Sequence, residues 1–122
     1  LIDARRGINM FRQVNVPVLG LVENMSYHRC SNCGHEEHIF GHGGAERCAQ
    51  EMGIPFMGHI PLHIDIREKS DAGAPIVVSQ PHSEHAKRFY DIAQQIIDAV
   101  ENGKTREQQA NSSGDGPEII IE

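Results

Sequence analysis

The chain has 122 residues, with 11 Lys and Arg against 17 Asp and Glu and a net charge of −6. That length suits one domain and is too short for two ordinary ones, and the charge balance excludes a broad nucleic-acid surface, which needs clustered cations. No apolar run approaches the roughly 18 residues of a membrane-spanning helix, and the first residues lack the charged-then-apolar pattern of a signal peptide.

Leu1, Ala4, Ile8 and Phe11 recur at helical spacing, which predicts a helix over residues 1–14, weakened by Gly7. A chain that begins inside an amphipathic helix, with no cap before it, reads as a C-terminal fragment or a truncated reading frame. The nearly continuous apolar run Val16-Pro17-Val18-Leu19-Gly20-Leu21-Val22 predicts a strand covered on both faces, as in a parallel sheet. Pro17 belongs at its start because it cannot donate to the ladder. Residues 25–44 read as a loop or small excursion, and connections of that length are usually functional. Ala45 to Met52 reads as a short helix stopped by Gly53, with Pro55 just beyond. Phe56 to Ile60 reads as a second strand ended by Pro61. Residues 65–70 make a turn of helix, Asp71-Ala72-Gly73 a turn, and Pro75-Ile76-Val77-Val78 an extended segment. Ser83 caps a final helix in which Phe89, Ala93, Ile96, Ile97 and Val100 form one stripe and Gly103 is the stop. The order helix, strand, helix, strand, helix implies an α/β sheet within residues 1–103. Lys104 to Gly116 is polar and cannot bury enough surface to offset its ordering entropy, so residues 104–122 are expected to be a disordered tail. Glu118-Ile119-Ile120-Ile121-Glu122 ends it either as a floppy terminus, the favoured reading, or as a short strand for a partner's edge.

The chemistry centres on Cys30-Ser31-Asn32-Cys33. This spacing puts two soft thiolates on one tight turn, a ligand arrangement for zinc or an iron–sulfur cluster. The sequence holds three cysteines and no second Cys-x-x-Cys. Histidines complete the set, or two chains each supply half. The odd count also argues against a secreted disulfide scaffold and for a reducing compartment. Unliganded loop cysteines are the plainer alternative, and a redox-active disulfide is a third. Gly34-His35-Glu36-Glu37 is too acidic a setting for such a disulfide, which needs a lowered thiol pKa. His28, His35, His38 and His42 lie within reach of the turn. Cys30-x-x-Cys33-Gly34 looks like a zinc knuckle, and two of these histidines would close a tetrahedral site, although each alone reads as a surface residue. His59, His63, His82 and His85 are scattered and receive no role. Cys48, on the short helix, reads as a buried structural cysteine. Gly41-His42-Gly43-Gly44 has the look of a phosphate cradle but lacks the Gly-Lys-Ser/Thr ending, so a tight loop leading into the helix is preferred. Asn24 closes the first strand, where open parallel sheets bind ligands. Its amide suits an adenine edge, though a turn-forming Asn is the ordinary explanation.

Several of these segments in order resemble one family. Val16 through Ser26, Cys30-x-x-Cys33-Gly34, Ile39-Phe40-Gly41, Gly43-Gly44-Ala45, Gly53 through Leu62 and Asp71-x-Gly73-x-Pro75-Ile76-Val77 are similar to the C-terminal part of Mrp-type (ApbC-like) P-loop ATPases. The resemblance covers roughly residues 1–101. It implies the C-terminal part of a P-loop NTPase sheet, MinD-like and nitrogenase-iron-protein-like, mostly parallel with flanking helices. It implies an iron–sulfur carrier in which Cys30 and Cys33 of two chains hold a bridging cluster, [4Fe–4S] in the family. [2Fe–2S] also uses four thiolates. It places Asn24 against the nucleotide base, with Pro61 and Leu62 flanking it. It further implies ATP and Mg2+ in the full-length protein, a homodimer, apo iron–sulfur proteins and cluster assembly factors as partners, and a cytoplasmic or mitochondrial-matrix location, with no nucleic-acid or membrane partner. The family's Gly-Lys-Gly-Gly-Val-Gly-Lys-Ser/Thr loop and its Mg2+-binding and switch aspartates are not in this sequence, so the chain alone is expected to be inactive as an ATPase. Two rivals remain. One is a monomeric zinc knuckle using His35, His38 or His42. The other is a metal-free regulatory ATPase, which the acidic second half of the final helix disfavours.

Overall fold

The structure, a computed structural model, describes residues 1–112, with side chains through Gly103. Helix α1 (Ile2–Gln13) buries Ile8 and ends where Asn15 takes a left-handed φ of 56°. Strand β1 (Leu21–Arg29) and the short β2 (Glu36–Glu37) form a hairpin, and α2 (Gly44–Met52) follows. Then come β3 (Phe56–Leu62), α3 (Ile64–Asp71), the single turn α4 (Ile76–Ser79) and α5 (Glu84–Ser112). The sheet order is β2-β1-β3, with β1 and β3 parallel and β1 and β2 antiparallel.

Strand β1 starts later and runs further than the apolar run predicts. Its ladder with β3 begins at Leu21 opposite Phe56, and Leu21 N–H donates to the Pro55 carbonyl at 2.9 Å. The stretch from Val16 to Gly20 precedes any strand partner among the described residues, and hydrophobicity alone does not make a ladder. Beyond Val22 the polar residues continue the strand because β3 still pairs with it as far as Leu62 opposite His28. Between Asn24 and His28 the register shifts, and Met25 adopts a φ of 52°. This is a bulge, stabilised where Met25 N–H donates to Asn24 Oδ1 at 2.9 Å. Pro61 does not end β3. It falls opposite the bulge, between the pairs Ile60–Asn24 and Leu62–His28, where its missing N–H costs no ladder bond.

Helix α5 packs on β3 through a core of Met57, Ile60 and Ile92, with Ile66 and Phe89 against it. Gln95 Nε2 donates to the Met57 carbonyl at 2.8 Å, fixing the helix along the strand. Gly20 permits the close approach of the β1 lead-in to β3, since a Cβ there would stand 2.8 Å from the Pro55 carbonyl and from Met57. Arg5 pairs with Glu51 and Arg12 donates to the Met52 carbonyl, so α1 is tied to α2. The segment after Pro75 is helical rather than extended: among the described residues it has no strand neighbour, and Ile76 is buried while Tyr90 Oη of α5 donates to the Val77 carbonyl at 3.1 Å. Gly103 does not stop α5. It keeps a helical backbone, and the helix continues to Ser112, into the part expected to be a tail. Glu118 to Glu122 lie outside the described residues.

Candidate metal centre

The cysteines sit at the tip of the β1–β2 hairpin. Register pairs His28–Glu37 and Arg29–Glu36 hold its base, and Arg29 Nη1 binds Glu84 Oε2 of α5 at 3.0 Å. Cys30 N–H donates to the His35 carbonyl and Gly34 N–H to the Cys30 carbonyl, each at 2.9 Å. Gly34 has a φ of 72°, the left-handed conformation that lets the chain turn back immediately after Cys33. Cys30 is half-buried and Cys33 exposed. The Cys33 backbone N–H, then that of Asn32, then the Cys33 thiol hydrogen-bond the Cys30 sulfur and hold its thiol below the usual range. This corrects the expectation from the acidic neighbours. Backbone dipoles, which sequence charge does not report, favour the thiolate, the form that binds metal.

The histidines do not join the cysteines. Among the described residues no group of three or more His, Cys, Asp and Glu is placed to hold a metal ion. His38 and His42 instead face each other, Nδ1 to Nδ1 at 3.3 Å with their rings edge-on at 4.4 Å. They line a cavity of about 260 Å³ with Tyr27, Glu36, His59 and Arg88 behind the hairpin. His28 stands on β1 opposite Glu37, before the turn that carries the cysteines. The Cys2His2 knuckle is therefore not assembled by the described residues.

Asn24 does not close β1: it lies inside the strand, opposite Ile60 and just before the bulge, because pairing with β3 carries the strand on to Arg29, whereas Pro61 and Leu62 are the last two residues of β3, with Leu62 opposite His28. Asn24 is exposed, Pro61 buried and Leu62 half-buried. Gly43 caps α2 with a φ of 67° and no side-chain cap, in keeping with a tight loop leading into the helix. Cys48 is fully buried, 3.9 Å from Met52 Sδ.

Two histidine pairings escape sequence reasoning. Glu23 and His59 are cross-strand neighbours joined by Oε2–Nδ1 at 2.9 Å. The signal was the register, invisible until the strands are aligned. His63 accepts from Asp65 N–H at 3.2 Å, capping α3, and its ring lies 4.4 Å from His85. Burial, with His63 second, pushes His85 below the ordinary histidine value of 6.5.

A family model described as ParA, the NUBPL iron-transfer P-loop NTPases, matches residues 1–97. The chain belongs to that family. This NUBPL-type chain is 50% identical over 121 residues to the "Iron-sulfur cluster transfer protein NUBPL" of Dictyostelium discoideum, covering 99% of this chain and 36% of that one. It is 55% identical over 100 residues to the "Iron-sulfur cluster carrier protein" of Escherichia coli K12, covering 82% of this chain and 26% of the relative. The "Iron-sulfur protein required for NADH dehydrogenase, mitochondrial" of Arabidopsis thaliana is 50% identical over 97 residues, which are 80% of this chain and 31% of that protein. The NUBPL-type chain thus spans about a third of the length of these relatives. Among solved structures, a nucleotide-binding protein from Archaeoglobus fulgidus in complex with ADP aligns at a TM-score of 0.55 and 35% identity, over 67% of this chain and 32% of that one. The fold is accordingly α/β of the P-loop NTPase kind, represented here by a small mixed sheet with flanking helices. Among the described residues no helix is long and apolar enough to cross a membrane.

Proposed function

We propose that this chain is the cluster-holding C-terminal part of an iron–sulfur carrier, in which the hairpins of two chains hold one cluster as cargo through Cys30 and Cys33. The observation that carries this reading is the half-site: two thiols on one hairpin tip, the Cys30 thiol favoured as thiolate by backbone amides, with no third ligand converging on them among the described residues. Two such tips supply the four thiolates that a [4Fe–4S] cluster takes. The donor chemistry fits, since soft thiolate is the ligand class for such clusters. The relatives named as iron–sulfur carriers and transfer proteins support it.

Holding the cluster on an exposed tip between two chains makes it releasable, because parting the chains removes half of the ligands. Apo iron–sulfur proteins, and assembly factors that load the cluster, are the partners this requires. In the longer protein Asn24 would contact the base of a bound ATP, with Pro61 and Leu62 flanking it, and ATP with Mg2+ would supply the hydrolysis that gates loading and transfer through the dimer. The cytoplasm or the mitochondrial matrix suits exposed thiols.

Cys30→Ala and Cys33→Ala are each expected to reduce iron after anaerobic reconstitution to background while leaving the far-ultraviolet circular dichroism unchanged. Undiminished iron in either variant sinks the assignment.

A further inference from the structure

We propose that, in the cluster-free chain, Cys30 and Cys33 form a redox latch that a small disulfide such as oxidised glutathione closes into an intrachain bond, blocking cluster loading until it is reduced. Geometry carries this. The two cysteines stand three residues apart on one hairpin turn, and Gly34, at a φ of 72°, bends the chain back directly after Cys33. The hairpin bonds from Cys30 to His35 and from Gly34 to Cys30 keep them together. Cys33 is exposed and open to attack, whereas Cys30 is half-buried beside it. Cys48 is fully buried on α2 and is a built-in control.

The steps balance. The Cys33 thiolate attacks one sulfur of oxidised glutathione, forming a protein–glutathione disulfide and releasing one reduced glutathione. The Cys30 thiolate then attacks the Cys33 sulfur and releases the second glutathione. The two cysteines lose two electrons to the glutathione disulfide, and their two protons end on the two released thiols. The close pair makes the second step intramolecular, so the mixed disulfide does not persist. The effect on loading rests on the carrier reading; the bond itself does not.

The test uses the 122-residue chain, stripped of metal under reductant, desalted and treated with excess oxidised glutathione. Free thiols are then alkylated and located by intact mass and peptide mapping. The expected product is a monomer two hydrogens lighter, with Cys30 and Cys33 protected, Cys48 alkylated only after denaturation, and no glutathione attached. In Cys30→Ser the glutathione adduct stays on Cys33. Persistent glutathione on the unmodified sequence, or bonds between chains, overturns the latch. Iron uptake is measured in parallel. The treated chain is expected to take up none until dithiothreitol is added. If it loads as well as the reduced chain, the latch fails and the carrier reading stands. If the reduced chain takes up no iron although the intrachain bond forms, the carrier reading fails and the bond stands.

Discussion

At the scale of single residues, the centre depends on backbone amides more than on side-chain charge. The Cys33 and Asn32 N–H groups favour a thiolate at Cys30. In cluster-free protein, alkylation of Cys30 is therefore expected to continue at a lower pH than in an unfolded peptide of the same sequence. Mass-resolved alkylation from acid to alkaline pH checks this, and identical profiles for folded chain and peptide contradict it. His85 has the opposite chemistry and the same sign. Its folded pKa lies below its unfolded value of 6.5, so the unfolded chain binds more protons. The stability it contributes is complete above that value and is lost as pH falls from there through its folded pKa. Urea midpoints are expected to drop between neutral pH and mild acid, and His85→Phe is expected to flatten that drop. An equally steep loss in the variant rejects the assignment.

At the scale of elements, the hairpin and the β3–α5 packing set the cysteine tip on a rigid base. Ile92 packs on Met57 and Ile60, and Ile92→Ala is expected to cost about 2–5 kcal/mol by lost transfer energy and cavity formation. Denaturant unfolding measures it. A loss well under 1 kcal/mol would mean that α5 does not hold the sheet. The sequence made the helices legible through their periodicity: Phe89, Ala93, Ile96 and Ile97 mark α5, and Gly53 marks the end of α2. It made β3 legible as an apolar run. It misplaced β1, because pairing with β3 extends a strand through polar Glu23, Asn24 and His28 while the apolar Val16 to Gly20 has no ladder partner among the described residues. It missed β2, since Glu36 and Glu37 have no strand pattern and pair only because the Cys30–His35 turn folds them back. The two cysteines were legible as half of a site from spacing alone. The amide cradle was not, because it depends on the backbone path through Gly34.

At the scale of the whole molecule, the chain spans 36% of its Dictyostelium relative and 26% of its Escherichia coli relative. The edge of β1 away from β3 carries β2 only at His28 and Arg29, and Met10, Phe11, Val14, Val16, Leu19, Val22 and Met25 are exposed. An open edge and exposed apolar side chains favour association, so light scattering is expected to show concentration-dependent assemblies that the longer protein does not form. Without a phosphate-binding loop the purified chain is expected to hydrolyse no ATP above background. A basal rate that disappears in Asn24→Ala contradicts this. Because apolar association gives a dimeric mass without any cluster, mass and metal have to be read together. The most direct test is iron, sulfide and zinc content of the anaerobically purified chain, taken with its mass in solution. Iron and sulfide are expected on a dimer and are lost in Cys30→Ala. One zinc per monomer, with no sulfide, would contradict the carrier reading.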